Sequence, residues 1–345
     1  MQNIRHLSYA DVEAYFLSIN EKKFRAKQVW EWLWKKHAAS FDDMSNISKE
    51  LRDKLAAEFA FTSLKVDATQ YSGDGTVKSR FLTHDGHRIE GVLIPTEERK
   101  TACVSSQIGC SLSCKFCATG YMDRKRNLTY DEIYDEVQLI NEQSERIHNQ
   151  KLTNIVFMGM GEPLMNYNNL LKAVERITAL DGLFMSPKRI TVSTAGVAKQ
   201  IKMLGDDKAR FKLALSLHAA SDVKRNEIMP INESNNIKAL VDALNYFYAQ
   251  TGNEITFEYI LFKNFNDSQK DADDLIKIYR QVPTHLVNII EYNPIDNVRF
   301  TKPDEEATSN FLIYLAKHKV NAHLRRSRGK DIDAACGQLA NKDRM

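Results

Sequence analysis

Between residues 101 and 327 the chain alternates short apolar runs with amphipathic stretches, and this alternation constrains the fold more than any other feature. Six runs read as strands: 101–106, 154–158, 189–194, 212–217, Ile255–Leu261 and 287–291. Most are continuous apolar runs, the pattern of strands covered on both faces. The segments between them carry helical spacing. Thr129 and Glu132 form a capping box ahead of Ile133, Val137 and Ile140. Ile237, Leu240, Val241, Leu244, Phe247 and Tyr248 follow one helical stripe, and Phe311, Leu312 and Leu315 lie on another. Repeated βα units predict an α/β fold with a parallel, curved sheet and helices outside, a partial (β/α)6 barrel. Active sites of such barrels lie at the C-terminal strand ends.

The first 95 residues read differently. Helices are expected near 9–18, 24–36 and 46–59, and a strand near 63–69. A hairpin follows, with Asp85-Gly86 turning between 79–83 and 88–94. Past the barrel, one more β-like run at 321–325 precedes a polar tail. The expected division is a small N-terminal helical domain with a β extension (1–95), the barrel (96–327) and a basic C-terminal tail (328–345).

Hydrophobic content of 43% with 27% charged residues describes a soluble globular chain. No run approaches the roughly 18 apolar residues of a membrane span, and the N-terminus has no apolar export segment. Five cysteines, three of them crowded, argue against a disulfide framework and for a reducing compartment, hence a cytoplasmic location. Net charge is only +3, so its placement says more than its size. Arg325, Arg326, Arg328, Lys330, Lys342 and Arg344 enrich the tail, and Arg124-Lys125-Arg126 form a second cluster. A third, Lys22 to Lys27, precedes Trp30, Trp32 and Trp34. Such patches can neutralise phosphates, although charge runs are more often solvated faces. The tryptophans read as core.

Cys110, Cys114 and Cys117 make a C-x₃-C-x₂-C motif directly after the first barrel strand. A closed structural zinc site takes four ligands, and an ordinary iron–sulfur cluster takes four cysteines. Three thiolates around a four-iron cluster leave one iron open for chemistry. The alternative is a zinc site in a non-catalytic RNA-binding module, completed by a distant His or Cys; the chain has nine His. Cys103 and Cys336, each taken alone, read as inert buried thiols.

The triplet, with Phe116 before its last cysteine, resembles the radical S-adenosylmethionine (SAM) superfamily. Cys103-Val-Ser-Ser-Gln-Ile-Gly-Cys110, Gly159-Met-Gly-Glu-Pro163, Ser216-Leu-His218 and the segment 331–339 around Cys336 together resemble its RlmN/Cfr family of RNA adenosine methyltransferases. Pro163 and Arg326-Ser-Arg-Gly-Lys330 lean toward the RlmN branch, which methylates carbon 2, over the Cfr branch, which methylates carbon 8. The resemblance implies a 4Fe–4S cluster on Cys110, Cys114 and Cys117, with SAM as second cofactor. It implies SAM contacts from Gly161, Glu162, Ser193, Ser216, Leu217, His218 and Asn293. Cys336 would carry the methyl group, Cys103 would resolve the protein–RNA adduct through a transient disulfide, and Glu90 would accept a proton. The implied partners are 23S rRNA, tRNA and a flavodoxin-type electron donor, with a monomeric protein.

Overall fold

The computed structural model describes residues 1–296 and 298–342. Its centre is a ten-stranded sheet. The strands in chain order are β1 (Lys65–Tyr71), β2 (Val77–Leu82), β3 (Arg88–Pro95), β4 (Lys100–Cys103), β5 (Gln107–Ile108), β6 (Arg126–Asn127), β7 (Asn154–Phe157), β8 (Ile190–Thr194), β9 (Lys212–Ser216), β10 (Ile255–Leu261), β11 (Thr284–Glu291) and β12 (Ala322–Arg325). The sheet order is β1-β2-β3-β4-β7-β8-β9-β10-β11-β12, with β5 and β6 forming a separate short ladder. From β4 to β12 every pair in the large sheet is parallel. Helices connect these strands, as a parallel sheet requires.

The continuous apolar runs are buried on both faces. Leu213, Ala214 and Leu215, three consecutive residues of β9, are all at most 1% exposed. The helix Tyr130–His148 has the capping box expected of it: the Thr129 N–H donates to Glu132 Oε2 at 2.9 Å. At the hairpin, Gly86 takes φ +82°, a left-handed value suited to glycine.

Two features go beyond the sequence expectation. The run at 321–325 is a seventh parallel strand, β12, paired with β11 at the open edge. An edge strand is half solvated, so its residues lack the continuous apolar character of the inner strands. The β extension assigned with residues 1–95 is also continuous with the barrel sheet, as the antiparallel strands β1–β3 join it through the β3–β4 pair.

The N-terminal helices Tyr9–Ser18, Lys23–Trp34 and Lys49–Glu58 pack around Phe16, Leu33, Trp34, Leu51 and Leu55. Trp34 is fully buried and Trp30 is 9% exposed, so these two are core. The unit is fixed to Tyr130–His148 by polar contacts. Arg5 Nη1 pairs with Asp135 at 2.6 Å, His6 with Asp131 at 2.9 Å, and His37 with Asp135 and Glu142 at 3.3 and 3.0 Å.

Candidate active site

The cysteine loop leaves the sheet at the C-terminal end of β4. Ser106 N–H donates to Met160 O at 2.8 Å, and the β5–β6 ladder closes the base of the loop. Cys110, Cys114 and Cys117 then line a cleft, partly open to solvent, at the C-terminal ends of the parallel strands. Leu112, Phe116, Met229, Ile260, Phe262, Ile290 and Tyr292 pack as an apolar collar beside the three sulfurs. The C-terminal segment closes one side: Ala118 N–H donates to Gly337 O and Thr119 Oγ1 to Leu339 O, both at 2.7 Å.

The donor set fits a cationic cluster better than three free thiols. Burial pushes Cys110 up to about 11, with Cys117 and Glu162 adding negative charge. Burial pushes Cys114 well above the ordinary thiol value and raises Cys117. Bound metal inverts this local logic, since a coordinating thiol is deprotonated outright. Among the described residues, no three His, Cys, Asp or Glu side chains converge on a point where one metal ion would sit. The sulfurs instead line a shared wall.

Of the residues expected to meet SAM, Gly161, Glu162, Ser193, Ser216 and His218 line the cleft. Ser193 and Ser216 hydroxyls lie 3.2 Å apart at the ends of β8 and β9. Glu162 is 3% exposed; its Oε2 accepts from Ala195 N–H at 2.7 Å and its Oε1 from Leu164 N–H at 3.0 Å. Burial raises its carboxyl, partly offset by those donors. Its backbone thus positions it, and lone pairs remain for an ammonium. His218 accepts at Nδ1 from Ile260 N–H at 3.1 Å and sits edge-on to Phe116. Burial, then the Arg225 charge, lowers its pKa to about 3, so it is neutral and unsuited to acid–base work near neutrality.

The other two residues expected to meet SAM, Leu217 and Asn293, lie next to residues of the cleft lining. Leu217 is 1% exposed in the core and does not line the cleft; its carbonyl instead accepts from Arg225 Nε at 3.1 Å. Asn293 Nδ2 donates to Cys336 O at 3.2 Å and to Ser327 Oγ at 2.9 Å. It therefore holds the tail. The glycines after β7 are small because of the protein's own chain: a Cβ on Gly161 (φ +93°) would meet Gln107 at 2.5 Å, and one on Gly159 would meet Val104 backbone at 2.7 Å.

Cys336 lines the cleft beside the three loop cysteines, and Cys103 is 7% exposed at the end of β4. Both sulfurs lie within the electrostatic reach of one cation, Arg325. Burial raises the Cys103 thiol strongly, and Cys336 adds to the rise. Sheet register places Glu90 with them. Arg80 lies opposite Glu90, Lys78 opposite Val92, and Val92 opposite Cys103. Directly opposed residues point to one face, so Lys78, Arg80, Glu90 and Cys103 share the face beneath the tail. Glu90 Oε2 accepts from Ala340 and Asn341 N–H at 2.9 and 3.1 Å.

Two cleft-side residues, Arg225 and Glu258, carry no sequence signal. Arg225, fully buried, donates to the carbonyls of Ala195, Ser216 and Leu217 and so joins the ends of β8 and β9. Glu258 (3% exposed) faces Arg325 at 3.6 Å across the cleft wall. Single arginines and a mid-strand glutamate acquire meaning only when their partners are known.

Many basic residues singled out as phosphate contacts are engaged. Arg126 bridges Asp85 and Glu132, both at 2.7 Å, Lys330 pairs with Glu291 at 2.7 Å, and Lys342 pairs with Asp296 at 2.9 Å. Arg328 donates to Pro95 O at 2.6 Å. Arg326 is exposed, and Arg344 lies outside the described residues.

A three-cysteine loop over the C-terminal edge of a parallel α/β sheet is the architecture of the radical SAM class. Residues 104–276 match the Radical SAM superfamily, and residues 2–60 match the ribosomal RNA large subunit methyltransferase N-terminal domain. The chain is 53% identical over 340 residues to a Cytophaga hutchinsonii protein named "Probable dual-specificity RNA methyltransferase RlmN", covering 99% of this chain and 93% of that one. It is 44% identical over 328 residues to "Dual-specificity RNA methyltransferase RlmN 2" of Myxococcus xanthus, covering 94% and 86%. A crystal structure of a radical SAM methyltransferase from Sphaerobacter thermophilus superposes with a TM-score of 0.92 at 37% identity, covering 98% of this chain and 99% of that one. The chain belongs to the RlmN family of radical SAM RNA methyltransferases. Its cofactors are those of the class, a 4Fe–4S cluster and SAM. No helix among the described residues is long and apolar enough to cross a membrane.

Proposed function

We propose that this enzyme methylates carbon 2 of adenosine in 23S rRNA and in tRNA, at an anticodon-adjacent adenosine, by way of Cys336. The observation that carries the reading is Cys336 in the wall of the cleft beside Cys110, Cys114 and Cys117, with Cys103 and Glu90 on the sheet face beneath its tail. Carbon 2 of adenine is electron-poor and has no lone pair to attack a methyl donor, so polar displacement fails there. When bound, the cluster held by the three loop cysteines and SAM beside Glu162, Ser193, Ser216 and His218 supply a methyl donor and a hydrogen-abstracting adenosyl radical.

The chain's own residues do the rest. The Cys336 thiolate accepts a methyl group by displacement. After that methyl loses a hydrogen atom, its carbon bonds to carbon 2 of the adenine. The adduct gives up one electron, for which the cluster at Cys110, Cys114 and Cys117 would be the acceptor, and its carbon-2 proton passes to Glu90. Cys103 then attacks Cys336 sulfur: the S–S bond forms, the sulfur–methylene bond breaks, and the Cys103 proton ends on the released methyl group. An external reductant reopens the disulfide. Asn293, by holding the Cys336 carbonyl, keeps the carrier over the cleft.

Carbon 2 lies on the Watson–Crick edge, so the adenine enters unpaired or flipped out. Residues 1–95 form the RNA-contact module, 96–327 the catalytic barrel and 328–345 the carrier tail. The enzyme works as a cytoplasmic monomer fed by a flavodoxin-type donor. Nucleoside mass spectrometry of RNA treated with reconstituted enzyme and SAM tests this reading. It should yield 2-methyladenosine; 8-methyladenosine would move the enzyme to the other branch, and no methylated adenosine would refute it.

A further inference from the structure

Lys78 is a buried ammonium to which the mechanism above gives no task. It sits on β2 and is 4% exposed. Its Nζ stands 3.6 Å from Glu90 Oε1 and 3.5 Å from the carbonyl of Asp333, three residues before Cys336. Burying a lysine this deeply is costly unless its charge is matched. A lysine kept for RNA phosphate would stand in solvent. The neighbouring cation, Arg80, binds elsewhere, to Asp67 at 2.6 Å and to the Lys342 carbonyl at 3.4 Å.

The two oxygens of Glu90 are unequally employed. Oε2 accepts the amides of Ala340 and Asn341, whereas Oε1 is buried and has no hydrogen-bond partner. Only Oε1 is left to take a proton, and it is the oxygen that faces Lys78.

We propose that Lys78 is a positioning residue for proton removal: it offsets the buried charge of Glu90, leaves Oε1 free of any hydrogen-bond partner, and through Asp333 ties the base to the segment carrying Cys336. This rests on the reading of Glu90 as proton acceptor. The resting pair is neutral. When the carbon-2 proton bonds to Oε1, the pair becomes a buried net cation, which favours passing the proton onward to solvent. Lys78 itself never touches the adenine.

The test is single-turnover methyl transfer by the reconstituted enzyme to RNA carrying protium or deuterium at adenosine carbon 2. Lys78→Met should slow transfer about ten- to a hundredfold, part of what a positioned base contributes. It should also expose a deuterium effect of about twofold or more, because proton loss becomes rate-limiting. Lys78→Arg should restore the rate to within about threefold, since the charge returns. Added to Glu90→Gln, Lys78→Met should cost little more, because residues acting as a unit are not additive. A Lys78→Met enzyme at the parent rate overturns the proposal, as does one slowed equally for both isotopes. So does failure of the arginine to rescue. If Lys78→Met does not hold its cluster, Lys78→Gln takes its place under the same criteria. A parent enzyme that methylates no RNA would instead refute the function, a separate result.

Discussion

Two polar regions of this molecule are built in opposite ways. Where the N-terminal helices meet Tyr130–His148, acidic and basic groups are matched at close range: Arg5 and His37 on Asp135, His6 on Asp131. In the cleft, three half-buried sulfurs line one wall with their thiols raised by desolvation, and Glu258 and Arg325 meet only at 3.6 Å. Buried charge that is fully paired holds parts together. Buried donors left without compensation await a ligand that brings its own charge. The first region is scaffold and the second is site.

The contrast predicts a sharp division among the cysteines. Cys114→Ala should remove the cluster, read as iron and sulfide after anaerobic reconstitution, and with it all activity. Cys103→Ala should keep the cluster. Equal loss in both would mean that the cleft sulfurs do not divide as described. Cys336→Ala should abolish methyl transfer to RNA while SAM cleavage continues; methylation near the parent rate would remove its carrier role.

In the scaffold, Asp135→Asn leaves Arg5 buried without its closest partner, and breaking such a pair costs about 3–5 kcal/mol. Thermal unfolding should register that loss while cluster content per folded molecule stays unchanged. A stable variant with a depleted cluster would blur the two regions.

The smallest effect is a pH dependence. Burial opposes the charge on His37, but Asp135 and Glu142 outweigh it and raise its pKa to about 9 from the ordinary 6.5. A histidine raised on folding stabilises fully below its unfolded value and loses that contribution as pH climbs through the folded one. Between pH 6.5 and 9, the parent's melting temperature should therefore fall relative to that of His37→Gln. Parallel curves would show that His37 is not charged at this junction.

Much of this was legible from the chain. The six inner strands announced themselves because burial on both faces demands unbroken apolar runs, and the cysteine loop did so because its chemistry requires fixed spacing. β12 did not show itself as a barrel strand, because an edge strand is only half covered. Among the residues picked for SAM contact, Leu217 packs inward and Asn293 bonds the Cys336 carbonyl, placements the motifs did not reveal. Motif position cannot tell a side chain that faces a cleft from one that holds its rim. Lys78, Arg225 and Glu258 were silent for a related reason: each is defined by partners distant in sequence that only the fold brings near.

The most direct test is Cys103→Ala expressed in cells. Without the resolving thiol, the Cys336 methylene–adenine link has no internal route to cleavage. An RNA–protein adduct that survives denaturant should accumulate and shrink to a short fragment under nuclease. It should be absent from the Cys103→Ala, Cys336→Ala double variant. Cys103→Ala protein that is free of RNA and turns over at the parent rate would contradict transfer through Cys336 and its resolution by Cys103.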